Sequence, residues 1–199
     1  MSSKKSASNR FGFILVNNMN KIWIISDTHF GHFKMTEYCG RPYNLSFILL
    51  ANIKSIVQPG DTLIHLGDFC IGKDKDWAEQ YRNATVGVNK ILILGNHDKQ
   101  TPNWYLSNGF NSVCEQMSGH YYGKFVTFSH RPIPNVQNIN IHGHMHNHLP
   151  RLLRKEWAVP DEEERNREDL AGLNGNHKLV SMELEGYLPI PLDKFLERK

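Results

Sequence analysis

Five near-continuous aliphatic runs, each stopped by a cluster of polar side chains, restrict this chain more than any other feature. They are KIWIISDTH (21–29), DTLIHLGD (61–68), KILILGNHD (90–98), KFVTFSH (124–130) and INIHGHMH (139–146). Ile, Leu and Val with little polar alternation are what strands buried on both faces require. Between the first two runs, LSFILLANIKSIV (45–57) sets Leu45, Ile48, Leu49, Asn52, Ile53 and Ile56 at helical spacing, and Pro59-Gly60 stops it. Between the second and third, DKDWAEQYRNA (74–84) predicts a short amphipathic helix. A last strand is expected at KLVSMELEGY (178–187). Strands alternating with helices predict an α/β fold. In such folds sites form at the carboxyl ends of strands, and every polar cluster here falls at a strand end.

At 199 residues, one domain with a substantial core is expected. Residues 19–199 form that domain in this reading, and the polar, Ser-rich residues 1–18 are expected to be a disordered extension. A charged excursion at about 149–178, with few core-forming residues, reads as a solvated face. As a long connection it also offers Arg151, Arg154 and Lys155 to an anionic ligand. The net charge of +3 suits an anionic substrate without demanding nucleic acid. Cys39, Cys70 and Cys114 are odd in number and lack C-x-x-C spacing, so a reducing cytoplasm is expected rather than a disulfide framework. No apolar run approaches the ~20 residues of a membrane span. FGFILV (11–16) is too short, and lacks the cleavage site, for a secretory signal.

The polar clusters are Asp27-x-His29, Gly67-Asp68, Asn96-His97-Asp98, His130 and His144-x-His146. Carboxylate, imidazole and amide oxygen without thiolate suit borderline-hard divalent ions such as Mn²⁺, Fe²⁺, Ni²⁺, Zn²⁺ or Mg²⁺. Residues two apart on a strand point the same way, so Asp27 with His29, and His144 with His146, are each expected to aim two ligands at one place. Seven ligand candidates exceed the needs of one catalytic zinc and match two adjacent metals sharing a carboxylate.

In this order and spacing, D-x-H, G-D, G-N-H-D, H and G-H-x-H resemble the calcineurin-like metallophosphoesterase superfamily, from Lys21 to about Leu192. ISDTHFGH (25–32) and YCGRPY (38–43) look most like its small bacterial and phage branch. The resemblance implies central mixed β-sheets flanked by helices, a four-layer αββα sandwich. It implies one metal held by Asp27, His29, Asp68 and His146, and another by Asp68, Asn96, His130 and His144, with Asp68 bridging. Manganese is the first expectation. A metal-bridging hydroxide would attack phosphorus, His97 would protonate the leaving oxygen, and Asp98 would orient His97.

The chain also departs from better-known relatives. Ile71 and Leu94 stand near the places where phosphoprotein phosphatases of the superfamily carry arginines, and Ile71 also replaces the tyrosine of purple acid phosphatases. What remains looks like a compact, uncapped phosphodiesterase on nucleotides, cyclic nucleotides or nucleic-acid ends. A non-catalytic assembly subunit and a DNA or RNA nuclease are the alternatives. His65 and His142 read as core histidines, Cys70 as a small buried side chain, and His120, His148 and His177 as surface residues. His32 and Arg131 each stay open between the site and a structural role.

Overall fold

A computed structural model describes residues 20–147 and 167–198. Among these residues nine strands form two mixed sheets. The first runs in the order β4 (Ser112–Cys114), β3 (Asn89–Ile93), β2 (Thr62–His65), β1 (Ile22–Ile25), β9 (Ile190–Pro191), with only β9 antiparallel. The second runs β5 (Gln116–Tyr121), β6 (Lys124–Ser129), β7 (Ile139–His142), β8 (His177–Leu179), with only the β5–β6 hairpin antiparallel. One hydrophobic cluster draws on both sheets: Ile24, Leu63, Ile64 and Leu92 from the first meet Val126, Phe128 and Ile141 from the second.

Among the described residues six helices accompany the sheets: α1 (Met35–Cys39), α2 (Leu45–Ile56), α3 (Asp74–Ala84), α4 (Pro102–Ser107), α5 (Arg167–Leu170) and α6 (Leu192–Glu197). Helix α2 buries Leu45, Leu49 and Ile53, the stripe its spacing predicts. Helix α3 buries Trp77, Ala78 and Tyr81. Tyr81 meets Phe69, from the loop after β2, at 5.1 Å between ring centroids, while Trp77 stacks on Phe30, from the loop after β1, at 5.8 Å. These aromatic contacts pin the loops that carry the polar clusters. No helix of the described residues is long and apolar enough to cross a membrane.

The strands are shorter than the aliphatic runs. Strands β1, β2, β3 and β7 stop at Ile25, His65, Ile93 and His142, so Asp27, His29, Asp68, Asn96, His144 and His146 all lie in loops. Strand alternation therefore does not aim the Asp27–His29 and His144–His146 pairs. Their backbones are left-handed instead, with φ of 49°, 45°, 69° and 44°, and Asp68 has φ of 56°. These five are among nine non-glycine residues with positive φ in the described chain. Each such residue costs about 1 kcal/mol or more, and strain of this kind gathers at functional sites. Inter-loop hydrogen bonds hold it in place: the N–H groups of Asp27 and His29 donate to the carbonyls of Gly67 and Asp68, both at 2.9 Å.

Residues 1–18, and the excursion as far as residue 166, lie outside the described residues. The remainder of the excursion departs from a purely solvated face, because Asp169 of α5 is buried. His65 and His142 are buried as expected. His65 takes the Gly67 N–H on Nδ1 at 3.2 Å, so its Nε2–H donates to Thr28 Oγ1 at 2.9 Å. Burial pushes His65 down to about 3 and His142 down to about 4. Below about pH 6.5 an unfolded chain takes up two protons that the folded one refuses, so stability falls as pH drops from about 6.5 towards 4. In chelator, urea unfolding free energy should fall by up to about 1.4 kcal/mol per pH unit for each histidine, and His65→Gln should flatten that slope. An identical slope in the variant would contradict the assignment.

Candidate metal centre

Loops after five strands, drawn from both sheets, bring the polar clusters together. Asp68, His130 and His144 offer ligand atoms within 4.8 Å of one another, and so do Asp27, His29 and His146. Asp68 joins the two groups. Its Oδ1 accepts the His97 backbone N–H at 2.8 Å, while Oδ2 lies 3.4 Å from His29 Nε2 and 3.5 Å from His130 Nε2.

Hydrogen bonding decides which atoms face inward. His130 Nδ1 lies 2.8 Å from the Leu66 carbonyl, which can only accept, so the proton is on Nδ1. In the neutral ring Nε2 then carries a lone pair, which faces Asn96 Oδ1 at 2.9 Å and His144 Nδ1 at 3.2 Å. His144 in turn donates from Nε2 to Asp169 Oδ2 at 3.2 Å, which leaves a second lone pair on its Nδ1. Three acceptors thus converge with no proton between them, an arrangement that repels itself unless a cation lies within it. The Asp169–His144 contact is the carboxylate–histidine arrangement that orients a metal-binding imidazole. Arg131 Nη1 pairs with both oxygens of Asp169 at 2.7 and 2.9 Å, so it supports this carboxylate while half its side chain stays exposed.

The second group repeats the pattern. Glu183 Oε1 lies 3.2 Å from His146 Nδ1, and Arg41 Nη2 pairs with the same oxygen at 2.7 Å. Arg41 Nη2 also lies 3.3 Å from His146 Nδ1, but its shorter bond to Glu183 makes the carboxylate the partner of the Nδ1 proton. His146 Nε2 then turns towards Asp27 Oδ1, 3.8 Å away. Burial alone would raise the Glu183 pKa, yet the His146 hydrogen bond and Arg41 hold the carboxyl well below the usual range. Asp27 Oδ2 accepts from the His144 N–H at 3.0 Å and from Ser26 Oγ, while Oδ1 is buried without a hydrogen-bond partner. Both ring nitrogens of His29 are buried without a hydrogen bond as well. Burial, then the neighbouring His146 and Arg41, holds that ring neutral by lowering its pKa well below the usual value. Buried polar atoms without partners are costly, and a divalent cation satisfies this whole set of nitrogen and oxygen donors.

Two glycines permit the close approach. A Cβ on Gly95 would strike the backbone N and the carboxylate of Asp68, and one on Gly143 would strike Ser26 Oγ and Asp27 Oδ2. The need at Gly95 is this proximity rather than a left-handed turn.

The two residues expected to act beside the metals part company. His97 is exposed, and its ring centroid lies 5.4 Å from that of His29. Asp98 does not orient it. Asp98 Oδ2 accepts the N–H groups of Asp68 and Gly95 at 2.9 and 2.8 Å, and Oδ1 accepts the Phe69 N–H at 3.0 Å and the Tyr105 hydroxyl at 3.4 Å. Burial raises Asp98 to about 6 against the pull of those donors. Its carboxylate staples the loop bearing Asp68 to the loop bearing Asn96 and His97. His32 packs near the site, its ring 5.5 Å from that of His29.

Arg41, Asp169 and Glu183 carry no local motif of their own. Arg41 stands in the quoted YCGRPY stretch, but its pairing with Glu183 spans 142 positions. Cys39, Cys70 and Cys114 form no disulfide among the described residues, and burial raises the Cys39 thiol to about 12.

A family model described as calcineurin-like phosphoesterase matches residues 20–190. An uncharacterized protein of Methanocaldococcus jannaschii is 30% identical over 189 residues, covering 88% of this chain and 89% of that one. A protein of unknown function from Aquifex aeolicus shares the fold, with a TM-score of 0.65 over 90% of this chain and 99% of that one at 22% identity. A Pseudomonas putida nuclease is more distant, at 22% identity and a TM-score of 0.45 over 63% of this chain and 61% of that one, too weak a likeness to bear on substrate. The matched segment contains every loop residue described above, from Asp27 to Glu183. The chain therefore belongs to the calcineurin-like phosphoesterase family and is a phosphoester hydrolase.

Proposed function

We propose that this protein is a two-metal phosphodiesterase acting on a nucleotide or related diester. The observation that carries this reading is the position of Asp68 Oδ2, within 3.5 Å of a histidine from each ligand group. Asp27, His29, Asp68 and His146 would hold one divalent ion, and Asp68, Asn96, His130 and His144 the other. Mn²⁺ is the first assignment, and Fe²⁺, Ni²⁺, Zn²⁺ and Mg²⁺ suit the same donors. Two such ions would supply a nucleophile at neutral pH and neutralise phosphoryl charge.

The chain's own residues do the rest. His97, exposed beside His29, hands a proton to the leaving oxygen. Asp98 is a positioning residue that fixes the loops bearing Asp68 and His97 through their backbones. Asp169 and Glu183 hold the protons of His144 and His146 outward, so that each ring presents a lone pair inward. A cytoplasmic setting is part of this reading, supported by three cysteines that form no disulfide among the described residues.

Hydrolysis of a generic aryl phosphodiester should appear with added Mn²⁺ and vanish with chelator. No metal-dependent hydrolysis across a panel of monoesters, diesters, cyclic nucleotides and oligonucleotides would overturn the reading in favour of a non-catalytic subunit. Asp169→Asn should weaken metal binding at the His144 end by about 10- to 100-fold in a calorimetric titration. Affinities equal to wild type would remove Asp169 from the account.

A further inference from the structure

A cavity of about 410 Å³, within the range of small-molecule sites, has aromatic walls made by Phe33, Phe47 and Trp77. Lys73, Asp76 and Gln80 supply its polar lining. Trp77 is held rigidly, stacked on buried Phe30 and meeting Phe47 at 5.5 Å. The other two walls face solvent, with Phe33 56% and Phe47 60% exposed. Tyr43, 74% exposed, stacks on Phe33 at 5.1 Å. Exposed aromatic rings gathered around one cavity mark a binding surface rather than core.

This cavity shares a wall with a recess at the metal centre. Phe33 also lines the small recess that reaches His29 and His32. Gly31, two residues after His29, lies so close to the Trp77 indole that a Cβ there would strike Nε1. The cleft therefore adjoins the His29 end of the two ligand groups. Three flat aromatic rings dominate the apolar wall, with Ile71 beside them, which suits a planar ring. The Gln80 amide offers both a donor and an acceptor, and Asp76 an acceptor, as the polar edge of a base requires.

We infer that the cleft binds the nucleobase of a nucleoside phosphodiester whose phosphate lies at the metal centre. The inference rests on the phosphodiesterase reading above and names its substrate class. The base stacks on Phe33 and Phe47, Gln80 and Asp76 meet its edge, and Lys73 is placed for an adjacent phosphate. Stacking tolerates every base, so selectivity among bases is weak.

The test compares thymidine 5′-(4-nitrophenyl phosphate) with its abasic deoxyribose counterpart, under Mn²⁺ and with one leaving group in both. Wild type should prefer the base-bearing diester in kcat/KM by roughly 10-fold or more. In Phe33→Leu and Phe47→Ala that preference should shrink at least about fivefold. Binding without turnover is read separately, by tryptophan fluorescence with AMP against ribose 5-phosphate. AMP should bind more tightly to wild type, and the advantage should be lost in both variants. Turnover of both diesters with no base preference, or a preference intact in both variants, overturns the cleft while leaving the phosphodiesterase reading in place. If neither diester is hydrolysed, that reading fails alone when AMP still binds selectively, and the cleft falls with it when AMP does not. A concentration-dependent dimer that Phe47→Ala dissolves would assign the aromatic walls to a second copy of the chain and overturn base binding.

Discussion

Asparagine in place of Asp68 is expected to lower metal-dependent kcat/KM by at least about 10³-fold, roughly 4 kcal/mol of barrier, while the fold persists. The substitution separates two jobs done by the two carboxylate oxygens. An asparagine Oδ1 still accepts the His97 N–H that Asp68 takes at 2.8 Å, so the loop keeps its anchor. What disappears is the negative charge on Oδ2, between His29 and His130 at 3.4 and 3.5 Å. Two cations held by the two groups would repel each other, and a shared anionic oxygen would be the main local offset to that repulsion. Circular dichroism and melting temperature in chelator should stay near wild type. A variant that keeps more than a tenth of the wild-type rate would show that Asp68 does not join the two groups.

Removing the His97 ring should leave the metals bound and cost about 10²- to 10⁴-fold in turnover of substrates with a poor leaving group. None of the converging ligand atoms belongs to its side chain, so His97→Ala should match wild type in elemental analysis. The leaving group then discriminates between roles. A 4-nitrophenolate departs without a proton, whereas a nucleoside alkoxide needs one in the transition state. The loss should therefore be much larger for a dinucleotide than for a nitrophenyl ester. Equal losses on both would assign His97 to phosphate binding, and an unchanged rate at full occupancy would remove it from the chemistry.

Much of this was legible in the residues. The aliphatic runs located five strands, and Leu45, Leu49 and Ile53 marked the buried stripe of α2. The seven expected ligand positions converge because each follows a strand, and the topology brings the ends of parallel strands together. Local geometry was not legible. Left-handed backbone at Asp27, His29, Asp68, His144 and His146 is held by pairing between loops; Asp and His adopt it more readily than most residues, but nothing in the sequence says which of them do. Strand β5 escaped because QMSGHY has little aliphatic character and, as an edge strand, alternates between exposed and half-buried positions. Helix α4 carried a signal that the aliphatic pattern overshadowed: Thr101 caps it by accepting the Trp104 N–H at 3.2 Å, with Pro102 in the first turn.

The supporting carboxylates were the hardest to foresee. Asp169 sits in a charged run and Glu183 in SMELEGY, and both act through histidines 25 and more positions away in sequence, at 144 and 146. Only the fold reveals such pairings. Asp98 shows the opposite error. Its place beside His97 in sequence suggested a pair, whereas its oxygens are already taken by three backbone N–H groups and a tyrosine hydroxyl.

Two ions bridged through Asp68 are the claim on which the rest depends, and it can be read without turnover. Protein stripped of metal and reloaded with Mn²⁺ should be measured by elemental analysis and by electron paramagnetic resonance. Two ions per chain with an exchange-coupled spectrum, as ions ~3.5–4 Å apart give, is the predicted result. One ion per chain, or two with the spectrum of isolated Mn²⁺, would contradict it.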